Sequence, residues 1–418
     1  MKDMARMISI AAADGRDFSA YLALPGAGSG PAIVLLQEIF GVNAYIRGIA
    51  DRYAEEGYVV LAPDIFHRLE PGLELGATDA DFAKAFSLYE SLDITLAVSD
   101  VVATVAAARA LPEVIASTNG AGVGVMGFCL GGKLAFLAAA ATDVDCAVCY
   151  YGGGIDQCLD RAGAITAPLM MHFGETDDYI PPDAIARIRD RFAGHPDTSI
   201  HVYRGAGHAF ARPGHHHDAS AAALAYTRSL AVFRQAIGPR YDLGAIADYH
   251  FYLEFEARDP DATMTTMVPE PYVNHVPTMT GGVGFEMLHR FYKNHFIGNN
   301  PPDMRMVPIS RTIGTDRMVD EFVMCFTHTT AVDWLLPNVA PTGRAVEIPM
   351  VAIVAFRGDK LFNEHIYWDQ ASVLVQVGLL DPALIPAICG VDQARKLLDG
   401  SLPSNTLMAR WATSAPSL

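Results

Sequence analysis

Residues 127–132 read Gly127-Phe-Cys-Leu-Gly-Gly132, directly after the apolar run Gly122-Val-Gly-Val-Met126 and directly before Lys133-Leu-Ala-Phe-Leu-Ala-Ala-Ala140. The order is a buried strand, a sharp turn with a thiol at its tip, and an alanine-rich helix. Glycines flank such a turn because the helix must approach the strand with no Cβ between them. The start of the helix offers unpaired N–H groups and a partial positive charge, which favour a thiolate and a developing oxyanion. A strand handed straight to a helix in this way predicts a parallel sheet with helices packed across it.

A nucleophile needs partners, and they lie downstream. The run Ala167-Pro-Leu-Met-Met-His-Phe173 reads as a buried strand and leads into Gly174-Glu-Thr-Asp-Asp-Tyr-Ile-Pro181. The next strand, Ser199-Ile-His-Val-Tyr203, leads into Arg204-Gly-Ala-Gly-His208-Ala-Phe-Ala-Arg212. Each candidate therefore sits just past the C-terminal end of a strand, where open α/β sheets place their sites. The turn resembles the Gly-x-Ser-x-Gly nucleophile turn of α/β-hydrolases with Cys in place of Ser, and there too the acid and the histidine follow in the chain. The roles expected are Cys129 as nucleophile, His208 as general base and acid, and Asp177 as orienter of the imidazole. Asp178 is the competing acid.

Four separated motifs carry a further resemblance: Gln37-Glu-Ile-Phe-Gly-Val-Asn43, Gly127-Phe-Cys-Leu-Gly-Gly132, Asp177-Asp-Tyr-Ile-Pro181 and Gly207-His-Ala-Phe-Ala-Arg212. From about residue 5 to 237 the chain resembles the dienelactone hydrolase (carboxymethylenebutenolidase) family. The resemblance implies Cys129, Asp177 and His208 as the triad and Glu38 as an extra carboxylate that helps ionise the thiol. A Glu just past the strand at 32–37 lies on the same sheet edge, in agreement. It also implies an oxyanion hole built from the backbone N–H groups of Leu130 and Ile39, and Arg212 as a holder of a substrate carboxylate. A guanidinium suits that task because it bonds both oxygens. The family's second arginine falls at Phe82 and a nearby family tyrosine at Phe86. Both departures exchange polar anchors for apolar bulk, so the expected substrate is an ester or lactone more apolar or larger than a dienelactone.

Two other features are read as inert. Cys146-Ala-Val-Cys149 lies in a strand-like stretch whose alternation separates residues three apart, and no second cysteine pair follows at zinc-site spacing. Gly214-His-His-His-Asp218 reads as a loop, with Asp218 or a neighbour capping the helix at 219–233. No metal and no cofactor is expected.

At 418 residues the length calls for two or more domains. The net charge of −17 argues against nucleic acid and anionic membranes as partners. No stretch has the length of a membrane span, and Met1-Lys-Asp-Met-Ala-Arg-Met-Ile8 lacks the apolar core of a secretory signal. Six cysteines in apolar contexts read as reduced thiols in a cytoplasm.

The first domain, 1–238, alternates strands (8–12, 18–24, 32–37, 58–62, 123–126, 146–151, 169–173, 199–203) with helices (45–56, 79–92, 94–110, 132–141). The fold class expected is α/β: a doubly wound, mostly parallel α/β-hydrolase sheet with an antiparallel pair at its edge. Past Ile237-Gly-Pro-Arg-Tyr-Asp-Leu-Gly244 the style changes. Residues 245–405 begin with a helix (246–256), a Met/Pro-rich stretch (259–284) and a second helix (285–296). Strands follow at 304–312, 317–330, 346–357 and 360–368, with Gly358-Asp359 as a two-residue hairpin turn. A tail, 406–418, closes the chain. Gly343-Arg-Ala-Val-Glu-Ile-Pro-Met350 and Lys360-Leu-Phe-Asn-Glu-His-Ile-Tyr-Trp-Asp-Gln370 resemble the SnoaL-like polyketide-cyclase family, an α+β cystatin-like cone enclosing a pocket.

Alternation puts His365, Tyr367 and Asp369 on one strand face, and His328 on a face with Asp320, Phe322, Met324 and Phe326. These are pocket candidates for proton transfer. The plainer expectation is a lid or a dimerisation sheet, and hence a homodimer. The function expected is a cysteine-dependent hydrolase of a small ester or lactone acting through an acyl-thioester. The alternatives are an isomerase or cyclase centred on the second pocket, and a ligand-binding sensor on a hydrolase scaffold.

Overall fold

The computed structural model describes residues 5–115 and 122–414. Residues 1–4 of the N-terminal segment and 415–418 of the tail lie outside that range. The chain divides into two compact units, Met1–Arg240 and Tyr241–Leu418. Among the described residues, no single helix is long and apolar enough to cross a membrane.

In the first unit, β1 (Ala5–Ala11), β2 (Asp17–Ala23), β3 (Ala32–Leu36), β4 (Val59–Pro63), β5 (Val123–Phe128), β6 (Cys146–Tyr150), β7 (Leu169–Gly174) and β8 (Thr198–Tyr203) form one sheet. Their spatial order is β1-β2-β4-β3-β5-β6-β7-β8. β1 and β2 pair antiparallel at the edge, β2 meets β4 antiparallel, and all later neighbours are parallel. Every residue of β3 to β7 is buried, which a strand attains only when helices cover both faces of its sheet.

The helices are α1 (Ala44–Glu55), α2 (Asp79–Glu90), α3 (Ile94–Ala110), α4 (Leu130–Ala141), α5 (Pro182–Arg191) and α6 (Ala219–Ala236). Most start on a side chain that accepts a backbone N–H of the first turn: Asn43, Thr78, Asp93 and Asp218. At Thr78 the cap is reciprocal, with Asp81 reaching back to the Thr78 N–H. Asp218 thus caps α6 as the histidine run suggested. All six cysteines are free, and Cys146 and Cys149 are buried in β6.

In the second unit, α7 (Leu243–Phe255) and α8 (Pro260–Thr265) precede β9 (Met267–His275) and β10 (Thr280–Val283). Then come α9 (Phe285–Phe291), a wider turn over Tyr292–Phe296, and β11 (Arg305–Ile313), β12 (Arg317–Thr327), β13 (Ala345–Arg357) and β14 (Lys360–Trp368). Short helices α10 (Gln370–Gln376) and α11 (Asp392–Leu398) follow. The sheet order is β10-β9-β14-β13-β12-β11. β13 alternates buried and half-buried residues along its length, the mark of a sheet with one covered face. Arg357 pairs with Lys360 across Gly358-Asp359, with Gly358 at φ +57°.

The Met/Pro-rich stretch at 259–284 departs from the sequence reading, which assigned it no strands. Pro269 and Pro271 argue against a strand because neither can donate to a ladder. The register explains how β9 holds them. Its pairing with β14 jumps from Leu361↔Met267 to Asn363↔Tyr272, so the prolines fall where no ladder bond is required. β10 pairs only with Tyr272–His275, beyond both prolines.

Candidate active site

The turn after β5 fixes the position of the thiol through the main chain. Cys129 has φ +54° and ψ −114°, a conformation that costs a non-glycine residue free energy and persists only when its surroundings impose it. Its N–H donates to the Tyr150 carbonyl of β6 (3.0 Å), and the Gly131 N–H donates to the Gln37 carbonyl at the end of β3 (3.0 Å). A Cβ at Gly127 would collide with the Gly131 carbonyl, and one at Gly131 would lie 2.6 Å from the Gln37 oxygen. A Cβ at Gly132 would meet the Tyr150 oxygen at 2.5 Å. The first turn of α4 thus rests backbone on backbone between β3 and β6. Two more non-glycine residues of positive φ, Tyr151 (+36°) and Ala209 (+58°), stand beside the same sheet edge.

The loop after β7 brings Asp177 to this edge, and the loop after β8 brings His208. Asp177 Oδ2 lies 2.8 Å from His208 Nδ1, while its Oδ1 accepts the Tyr179 N–H (2.9 Å). The Asp177 carboxylate is fully shielded from solvent, whereas Asp178 is exposed, so Asp177 is the acid in contact with the histidine. Burial disfavours charge on His208. The Asp177 hydrogen bond, followed by the hydrogen bond and charge of the Cys129 sulfur, outweighs it and carries the pKa up to about 10.

Glu38, just past β3, is buried. Desolvation raises its pKa, against the pull of Arg212, His208 and the Tyr151 hydroxyl. Arg212 Nη1 stands 3.3 Å from Glu38 Oε2, yet that oxygen accepts no aligned hydrogen bond. The central carbon of the guanidinium lies 4.3 Å from the centroid of the Phe40 ring, a cation–π contact. The N–H groups of Ile39 and Leu130 have no protein acceptor among the described residues, and Leu130 occupies the first position of α4, where an N–H has no partner within its helix.

Phe82 and Phe86 on α2 are partly exposed, at 41% and 37%. Phe82 meets the edge of Phe40 at 5.0 Å. Phe86 lies 6.4 Å from Tyr179, whose ring is 4.9 Å from His208. The structure thus brings Cys129, Asp177, His208, Glu38, Ile39, Leu130 and Arg212 to one sheet edge, with the two phenylalanines one ring removed. Sequence reasoning missed Tyr151 and Tyr45, which flank Glu38. Tyr151 was findable, since it follows β6 at the same edge and precedes three glycines.

The second unit encloses a cavity of about 640 Å³. Asp320, Phe322 and Met324 of β12 line it, as the alternation predicted. The other pocket candidates do not. On β14 it is Glu364 and Ile366 that face the cavity, so His365 and Tyr367, one residue out of phase, lie on the opposite face. His365 packs edge-on against Tyr272 at 5.4 Å, and Tyr367 is 42% exposed. Asp369 caps α10, accepting from the N–H groups of Ala371 and Ser372. His328 lies past the end of β12, where its Nδ1 pairs with Thr342 and ties down a loop. Among the polar groups the sequence reading overlooked at the cavity wall are Glu254, Tyr292 and Glu364, with His250 behind them, and Arg311 beside Asp320.

Comparison with known proteins agrees with both halves. Residues 18–237 match the family model described as the dienelactone hydrolase family, and residues 249–364 match a SnoaL-like domain. A carboxymethylenebutenolidase of Pseudomonas putida is 39% identical over 225 residues, 53% of this chain and 93% of the relative. One from Pseudomonas sp. strain P51 is 39% identical over 206 residues, 49% of this chain and 84% of its own. Among solved structures, a dienelactone hydrolase-like promiscuous phosphotriesterase from metagenomic libraries is 23% identical. That match covers 56% of this chain and all of the other, at a TM-score of 0.48.

Proposed function

Since the chain belongs to the dienelactone hydrolase family through residues 18–237, we propose that it is a carboxylic-ester hydrolase that attacks an ester or lactone with the Cys129 thiolate. The observation that carries this reading is the Asp177–His208 contact of 2.8 Å beside the strained Cys129 turn. With its pKa near 10, His208 is an imidazolium at neutral pH, the proper companion of a thiolate.

The Cys129 sulfur adds to the carbonyl carbon, and the carbonyl electron pair moves to an oxygen facing the N–H groups of Leu130 and Ile39. One such donor is worth roughly 3 kcal/mol of barrier. Collapse breaks the bond to the leaving oxygen, which takes the proton from His208, and an acyl-thioester remains. Acylation also removes the sulfur's charge, one of the influences that hold the proton on His208. The neutral imidazole then accepts a proton from water as that water attacks the thioester, and the C–S bond breaks to restore the thiolate. Glu38 takes the thiol proton when the encounter begins with Cys129 protonated. A substrate group that draws Arg212 away strengthens it as a base.

Phe82 and Phe86 present exposed apolar surface next to Phe40 and Tyr179, which favours a substrate with an apolar body. The test is hydrolysis of p-nitrophenyl acetate and dihydrocoumarin by wild type and Cys129→Ala. Turnover is expected to fall by at least about 10³-fold in the variant, and retained turnover would overturn the reading. In Phe82→Ala the preference for long-chain over acetyl esters should decline; an unchanged ratio removes Phe82 from substrate selection.

A further inference from the structure

Three acceptor groups converge in the second unit, far in sequence from Cys129. His250 and Glu254 stand one turn apart on α7, hence on one helix face. Glu364 projects from β14 to meet them. His250 Nε2 lies 3.2 Å from Glu254 Oε1 and 3.5 Å from Glu364 Oε1, and one ligand atom from each residue falls within 4.8 Å of the others. All three residues are buried.

The hydrogen bonds around His250 fix which nitrogen faces the carboxylates. Thr266 gives its single hydroxyl proton to the Thr263 carbonyl (2.6 Å), so its oxygen accepts from His250 Nδ1 (2.6 Å). With Nδ1 carrying a proton, Nε2 is the nitrogen that faces the two carboxylates, and in the neutral imidazole it turns a lone pair toward them. Neither Nε2 nor Glu364 Oε1 has a hydrogen-bond partner. Two buried carboxylates converging on one imidazole nitrogen call for a positive charge between them, which a metal ion or a proton on Nε2 supplies.

We propose that His250, Glu254 and Glu364 bind a first-row divalent cation of the Zn²⁺ or Mn²⁺ type at the wall of the second unit's cavity. Metal–ligand bonds of about 2.0–2.2 Å place adjacent ligands about 3.0–3.5 Å apart, and the two separations from Nε2 match that spacing. Two carboxylates and one imidazole carry charge −2, which such an ion neutralises. The donor set holds nitrogen and oxygen and no thiolate, which excludes a preference for soft ions. Thr266 is the hydrogen-bond partner that orients a ligating histidine.

Glu254 and Glu364 also line the cavity, so the ion keeps coordination positions open toward it, as catalytic sites do and closed structural sites do not. The remaining wall is rich in apolar side chains, among them Phe251, Phe255, Phe296, Phe322, Met324 and Trp334. The ligand class that fits is an aromatic or otherwise apolar molecule with one oxygen donor for the ion. This site is independent of the hydrolase reading.

The test is calorimetric titration of chelator-stripped full-length protein with ZnCl₂ and with MnCl₂, and metal analysis after dialysis. One equivalent is expected to bind, and Glu254→Gln and Glu364→Gln should each weaken it at least 100-fold. Thr266→Val removes no ligand and should weaken binding 10- to 100-fold. It stands in if the glutamine variants fail to fold by circular dichroism. Replacement of His215, His216 and His217 together by Ala should leave the equivalent in place. A wild-type protein that takes up neither ion overturns the proposal: a proton on His250 then holds the cluster. Uptake indifferent to Glu254→Gln, Glu364→Gln and Thr266→Val, or lost with the histidine run, overturns it equally.

Discussion

His208 carries the clearest consequence of any single residue. Its pKa rises from 6.5 to about 10 although burial alone would lower it, so its charged partners dominate. A group whose pKa is raised by folding stabilises the fold fully below its unfolded value, and that contribution fades as pH climbs through the folded one. The window here runs from about pH 6.5 to about pH 10. The difference in urea midpoint between wild type and His208→Gln should shrink across that interval, and a flat difference would mean that the ion pair is not its source. In Asp177→Asn the imidazole should titrate well below 10 by NMR, and ester turnover should fall about 10²- to 10⁴-fold. Cys129, Asp177 and His208 were legible because each follows a strand and sits among turn-forming residues of narrow use. Tyr151 was passed over because it closes an apolar run, although the three glycines after it mark the sheet edge. Glu364 was hidden by the histidine beside it, which drew the reading to the wrong face of β14.

Among the elements, the junction of β5 and α4 tolerates the least change. An alanine at Gly131 would drive its methyl group into the carbonyls of Leu36 and Gln37, main-chain groups that cannot swing aside. Gly131→Ala should cost about 1–3 kcal/mol or more in urea unfolding. Gly153 has no atom within 4 Å of a notional Cβ, so Gly153→Ala should stay within about 0.5 kcal/mol of wild type. Equal effects at the two sites would refute the close-approach argument. Helices and strands were legible wherever the pattern had one meaning, as along β13 or in the largely apolar β3 to β7. β9 was not, because prolines speak against a strand locally and only the register with β14 shows where they are harmless.

At the level of the whole molecule, two separate hydrophobic cores stand out. One draws on residues from Ile10 to Ile237, the main core of the second unit on residues from Leu243 to Val377, and they share none. The change of style near residue 240 is the trace of this in the sequence. A fragment ending at Arg240 is expected to unfold in one cooperative transition and to keep hydrolysing p-nitrophenyl acetate. An unfolded or inactive fragment would show that the second unit completes the first. Every residue proposed for the thiol chemistry, from Glu38 to Arg212, lies before that point. The second unit adds 178 residues (418 − 240). At roughly 5–20 residues per second of synthesis, those residues take about 10–35 s to make. On the expectation that the first unit folds alone, the nascent chain already holds the groups proposed for the thiol chemistry during that interval. Its chemistry would begin while the ribosome is still building the other half.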